Sequence, residues 1–201
     1  MLSKPLLSWI TSAATFAAFL PYILSILKGE TKPRVVSWII WSISTLMVFA
    51  GQWADGGGVG AWPTGLSGLI TLGIVGLAYA KQGSLETTRL DKACFAIAIL
   101  GVLAWFWTRT PLWTVLLMTS IDLVGFIPTF RHAYHHPHDE NITFYMLMFM
   151  RNLLGIPALE HYSLTTLVFP IAMNIAMAIL VPMVMIKRKV RVDFPNPATD
   201  A

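Results

Sequence analysis

Asp122 stands in SIDLVGFIPTF, residues 120–130, an otherwise mostly apolar run. A carboxylate in such a place can take up and release a proton whenever its access to water changes. Arg151 lies in a second apolar run, FYMLMFMRNLLGI. Its guanidinium keeps its charge and offers a planar fork of donors to a carboxylate or phosphate. Asn152, next to it, and Asn174, in the last apolar run, add neutral donors and acceptors. An ion on an isolated helix in hydrocarbon costs at least about 2.5 to 3.5 kcal/mol, so these side chains must face protein or water. Two arrangements satisfy that requirement. One is an Asp122–Arg151 ion pair that fixes helix packing; the other is a wet cavity between helices where the same residues meet a solute.

Other chemistry is less favoured by the residues. His132, His135 and His136 have i, i+3, i+4 spacing and Asp139 follows, a pattern that can ligate a divalent ion. Pro137 interrupts that helix at once, so the stretch reads as a solvated loop and no metal site is expected. There is no HExxH, Gly-rich phosphate loop or nucleophile elbow, so the chain does not read as an enzyme. Lys187 lies at the end of the last apolar run rather than in its middle, which argues against a retinal-type photoreceptor.

The elements that carry these residues follow from hydropathy. With 56% hydrophobic and 12% charged residues in 201, the chain is an all-α polytopic membrane protein whose length is consumed by spans of about 20 residues each. Seven segments stand out, at 6–27, 35–53, 61–80, 93–108, 112–131, 142–159 and 164–186. Turn formers and charges separate them. At about 1.5 Å per residue, Asp122 falls roughly 15 Å from one boundary and Arg151 reaches nearly the same level from the other side.

Lysine and arginine fall unevenly on the two sides. Lys4 and Arg109 share one; Lys28, Lys32, Arg34, Lys81, Arg89, Lys92, Arg131, Lys187, Arg188, Lys189 and Arg191 share the other. The positive-inside rule then puts the N-terminus outside and the C-terminus in the cytoplasm. Basic loops facing anionic headgroups account for the net charge of +4, and no nucleic-acid partner is implied. Without a cleaved leader or long polar tails, the chain reads as an integral protein of a prokaryotic inner membrane.

Setting Pro21 on Pro128, an offset of 107 residues, aligns the first three segments with the last three without a gap. Thr15 then meets Asp122, Ser44 meets Arg151, Thr45 meets Asn152 and Ser67 meets Asn174. The chain thus reads as one membrane domain, 1–201, with a three-helix repeat at 6–80, an inverting linker helix at 93–108 and a second, parallel repeat at 112–186.

This build, with a proline in the first helix of each repeat, resembles the SWEET and PQ-loop superfamily of transporters. The resemblance spans residues 6–190, and the family's Pro-Gln pair is here Pro21-Tyr22 and Pro128-Thr129. It implies a small-solute transporter working by alternating access, with Pro21 and Pro128 as hinges and no cofactor. Asp122 resembles the fifth-helix Asp of lysosomal cystine exporters in helix and depth, which implies proton coupling at Asp122. Asn174 resembles the third-helix asparagine of the second SWEET repeat, with Ser67 as its partner in the first. The implied solute-binding set is Asp122, Arg151, Asn152, Asn174, Thr15, Ser44, Ser67 and Tyr22. Arg151 favours an anionic or zwitterionic solute over a plain sugar. KDEL-receptor-like proteins share the architecture, so a ligand-binding receptor or a static partner in a complex is the alternative. Both repeats sit in one chain, so a homo-oligomer is allowed without being required. Trp38 and Trp41, in SWIIW, match the Trp-x-x-Trp of PnuC-type vitamin transporters. Their position near a span end favours anchoring at the membrane interface.

Overall fold

Short polar residues placed just before apolar runs decide where four of the helices begin, and a proline in the first turn opens two others without a side-chain cap. The computed structural model describes residues 2–30, 33–81, 85, 88–108, 110–127, 129–138 and 140–189, together with the helical backbone at 128 and 190–193. Seven α-helices run through them: α1 (Lys4–Leu27), α2 (Val35–Ala54), α3 (Trp62–Ala80), α4 (Arg89–Thr108), α5 (Pro111–His135), α6 (Ile142–Gly155) and α7 (Leu164–Asp193). Single 3-10 turns precede α3 (Gly58–Ala61) and follow α6 (Ile156–Ala158). Ser3 caps α1 through the amide of Leu6, and Asn141 caps α6 through that of Phe144. Ser163 and Thr166 cap each other's amides at the start of α7. These are the exchanges expected of orphan first-turn donors.

Six helical stretches are long and apolar enough to cross a membrane, and the stretch Ile142–Ala158 is shorter. The helices overrun the expected boundaries where polar residues cap them. The fourth starts at Arg89 instead of 93 because Thr88 and Asp91 form a capping box: Asp91 accepts from the Thr88 amide at 2.7 Å, and Thr88 Oγ1 accepts from the Asp91 amide at 3.1 Å. Arg34 at the start of α2 holds the same carboxylate at 2.6 Å. The sixth helix stops earlier than expected, at Gly155, and gives way to a 3-10 turn.

The helices pack crosswise. α3 packs on both α1 and α2, and α7 packs on both α5 and α6. α1 also runs against α6, and α2 against α5. α4 leans on α5 and α2 at the edge, burying only Cys94, Ala98 and Gly101, a single i, i+4, i+7 stripe. A shared core of Phe19, Ile40, Val48, Ile74, Met118 and Met173 joins the helices. The seam between α2 and α3 is close enough that a Cβ on Gly68 would sit 2.7 Å from Leu46 Cδ2. In a membrane bundle, small residues supply the close approach that hydrophobic drive cannot.

Polar ties close the two ends. At one end, called here the Lys4 end, Lys4 Nζ donates to the Leu159 carbonyl at 2.8 Å, Ser8 Oγ donates to Val59 O at 2.5 Å, and the Glu160 amide donates to Gly57 O at 3.1 Å. At the other, the Arg188 end, Arg188 donates to the carbonyls of Pro137 and Glu140 at 2.9 and 2.6 Å. The expected basic residues Lys32, Arg109 and Arg191 lie outside the described residues or their described side chains.

Gly68→Val should lower the melting temperature of the purified protein in detergent, the cost being about 1 to 3 kcal/mol for overpacking. Gly73→Ala should not lower it, since a Cβ there meets nothing within 4 Å and alanine favours the helix. Thermal unfolding of the two variants checks both outcomes.

Candidate functional site

Asp122 lies almost halfway along α5, buried at 6% exposure, on the seam with α2. Ser44 of α2, fully buried, donates its hydroxyl to Asp122 Oδ1 at 2.5 Å. The same Ser44 oxygen is 3.1 Å from the Trp41 carbonyl one turn earlier. A hydroxyl has one proton and two lone pairs, so this pair accommodates both states of the acid. Ser44 donates to an ionised Asp122. A protonated Asp122 donates to Ser44 Oγ, and the serine proton turns to Trp41 O.

Arg151, at 2% exposure, occupies a different place. It sits on α6, four residues before the helix ends, and its Nη2 reaches Thr64 Oγ1 in the first turn of α3 at 3.4 Å. Nε of the same guanidinium has no protein partner, and neither do Asn152 Nδ2 and Gln52 Oε1. Arg151, Asn152, Gln52 and Thr64 line one cleft, whose Lys4 end is walled by Gly60 and Leu159. The wall is tight there, because a Cβ on Gly60 would come within 2.4 Å of the Leu159 amide nitrogen. The cleft is open at its mouth and encloses room for about one water-sized group.

The Asp122–Arg151 ion pair expected as the alternative is therefore not formed; each residue has a different partner. Depth is the physical reason. With α6 ending at Gly155, Arg151 lies about 6 Å below that end, whereas Asp122 lies about 16 Å down α5 from its own start at the same end.

The remaining expected site residues divide by what they touch. Thr15, fully buried, donates to the Thr11 carbonyl of its own helix at 2.8 Å. Ser67 is buried on α3. Asn174 turns its amide to the backbone of α6, with nitrogen donating to Phe149 O at 3.1 Å and oxygen accepting from the Leu153 amide at 3.2 Å. Those two groups are the partners of one helical rung, so Asn174 ties α7 to α6. Tyr22 is half-buried, and its hydroxyl accepts from Trp38 Nε1 at 3.2 Å. Pro21 lies inside α1. Pro128 is described only as helical backbone within α5, and Asp139 lies outside the described residues. His132 and His136 stack at 5.2 Å, and no group of three metal-ligating side chains is present among the described residues.

Trp38 and Trp41 do not anchor the chain at an interface. Trp38 is 9% exposed and belongs to the core, packing edge-on against Trp41 at 5.1 Å and against Tyr22 at 5.0 Å. Proximity to a span end had suggested the headgroups, but helix phase decides: Trp38 shares the buried face of α2 with Ser42 and Thr45. Trp9, Trp53, Trp62, Trp107 and Trp113 are all exposed.

Two members of the cleft were not singled out from sequence, Gln52 and Thr64. The signal for their neighbourhood was present: Pro63 and Pro170, which also line the cleft, are separated by the same 107 residues as Pro21 and Pro128. Comparison with family profiles, curated proteins and solved structures finds no match for the chain.

Double-mutant cycles distinguish contact from separation. Asp122→Ala with Ser44→Ala should show a coupling energy of about 1 kcal/mol or more, as for a buried hydrogen bond to a charged group. Asp122→Ala with Arg151→Ala should be additive within about 0.5 kcal/mol. Reversible unfolding in detergent measures both.

Proposed function

We propose that this chain is a small-solute membrane transporter working by alternating access and coupled to protons at Asp122. The favoured solute is anionic or zwitterionic, an amino acid, organic acid or vitamin-like molecule, over a plain sugar. The observation that carries the reading is the crosswise packing. In each half the third helix lies against the other two, and the halves meet with α1 on α6 and α2 on α5. Two parallel three-helix units related by a pseudo-twofold axis would pack in this way, with α4 supplying the inversion between them. The matched positions Thr15 and Asp122, Ser44 and Arg151, and Ser67 and Asn174 are all buried, in keeping with two units that face each other. This arrangement is the ground for the SWEET and PQ-loop resemblance.

Chemistry adds to the geometry. The Ser44–Asp122 pair sits on the α2–α5 seam between the proposed units, where rocking of one unit against the other would change its access to water. The Ser44 hydroxyl can follow the acid through protonation without leaving an unsatisfied group. Pro21 removes one rung from α1 and gives that helix a point of flexure. With the Lys4 end outside and the basic Arg188 end cytoplasmic, the charge bias of the loops is satisfied. A static receptor built on an Asp122–Arg151 pair loses its basis, because the two residues are separately partnered.

Asp122→Asn should abolish accumulation of labelled amino or organic acids driven by a pH gradient in proteoliposomes, while the variant stays folded and equilibrium exchange persists. Accumulation at the parent rate in this variant removes Asp122 from coupling.

A further inference from the structure

Arg151 is a buried cation whose charge no carboxylate among the described residues neutralises. Among the described residues its side chain makes one hydrogen bond, a long one to Thr64. Within a guanidinium, Nε and Nη2 lie on the same edge, the edge that grips both oxygens of a carboxylate side-on. Here Nε is unpartnered and Nη2 is only loosely held. Asn152 Nδ2, in a residue 4% exposed, is a second unpartnered donor on the same cleft. Gln52, 2% exposed, is held by its nitrogen, which donates to Thr166 O at 3.0 Å, so its unpartnered Oε1 is fixed as an acceptor.

The residues of this cleft thus carry two unpartnered donors, one of them on the guanidinium itself, and one unpartnered acceptor. We infer that this cleft binds a carboxylate carrying a hydrogen-bond donor on the neighbouring carbon, a 2-hydroxy or 2-amino acid. The Arg151 edge and Asn152 Nδ2 hold the carboxylate, and Gln52 Oε1 accepts from the hydroxyl or ammonium. Leaving three buried polar atoms unsatisfied is costly, and this ligand satisfies all three. The enclosed part of the cleft has room for about one water-sized group, so only the polar head of the ligand enters among these residues, the walls parting to admit it, while the rest extends through the open mouth. The assignment rests on the transport reading only for its purpose, since binding is an equilibrium property of the cleft.

The test is a thermal-shift titration of the purified full chain in detergent with lactate, alanine, propionate, ethanolamine and sodium chloride. Lactate or alanine should raise the melting temperature by roughly 5 °C at a hundredfold excess over Kd. Propionate should need about tenfold more ligand, having lost one hydrogen bond. Ethanolamine and chloride should have no effect. Arg151→Gln should abolish every carboxylate shift. Thr64→Asp, which places a carboxylate beside Arg151, should abolish the shifts as well while keeping the fold, and it decides the matter if Arg151→Gln does not fold. Gln52→Met should erase the preference for lactate over propionate. Equal shifts by lactate and propionate, a comparable shift by chloride, or carboxylate shifts that survive in Thr64→Asp overturn the assignment. Uptake separates the two claims: lactate binding without movement of any solute into proteoliposomes removes transport and leaves the cleft, and accumulation of a solute with no thermal shift by lactate or alanine does the reverse.

Discussion

In hydrocarbon no water is available to complete a hydrogen bond, so every polar group in the interior of this bundle must find its partner within the protein. That constraint orders the whole arrangement. Thr11 and Thr15 turn their hydroxyls back onto the carbonyls of α1. Ser44 crosses to Asp122, and Asn174 crosses to the backbone of α6. These crossings set which helix lies beside which. They also make the exceptions informative: besides Thr119 Oγ1, the buried side-chain atoms without a partner among the described residues are on Arg151, Asn152 and Gln52, which share one cleft.

The molecule therefore divides its polar interior by depth. Asp122 sits at mid-helix in close packing, with one partner that tolerates either protonation state. Arg151 lies nearer the Lys4 end, beside a cleft, with charge to spare. On the proposed transport reading the proton site and the solute site are separate, and a carrier so built couples them through helix movement rather than through direct contact. α2 is the natural link, since it holds Ser44 at one level and Gln52 at the other.

Helix number and type were legible from sequence because apolar length is a one-dimensional property: seven segments were expected and seven helices are present among the described residues. Burial of Thr15, Ser44, Ser67, Asp122, Arg151, Asn152 and Asn174 was legible for the same reason, since polar residues in long apolar runs have nowhere else to go. Pairing was not. Whether Asp122 meets Arg151 or Ser44 depends on which helices lie side by side and which way each residue faces, and the length of an apolar run fixes neither. Trp38 was misjudged because distance from a span end says nothing of helix phase. Gln52 escaped notice because an uncharged amide near a helix end carries little signal until its neighbours are known.

The Asn174 contact carries one more consequence. Its amide grips main-chain atoms of Phe149 and Leu153, so nothing in that fastening depends on which side chains those two positions carry. The join between the last two helices is thus written on one strand of the bargain only: evolution is free to redecorate the neighbouring helix surface, to suit new lipids or partners, without loosening it, provided that a single carboxamide stays in place opposite.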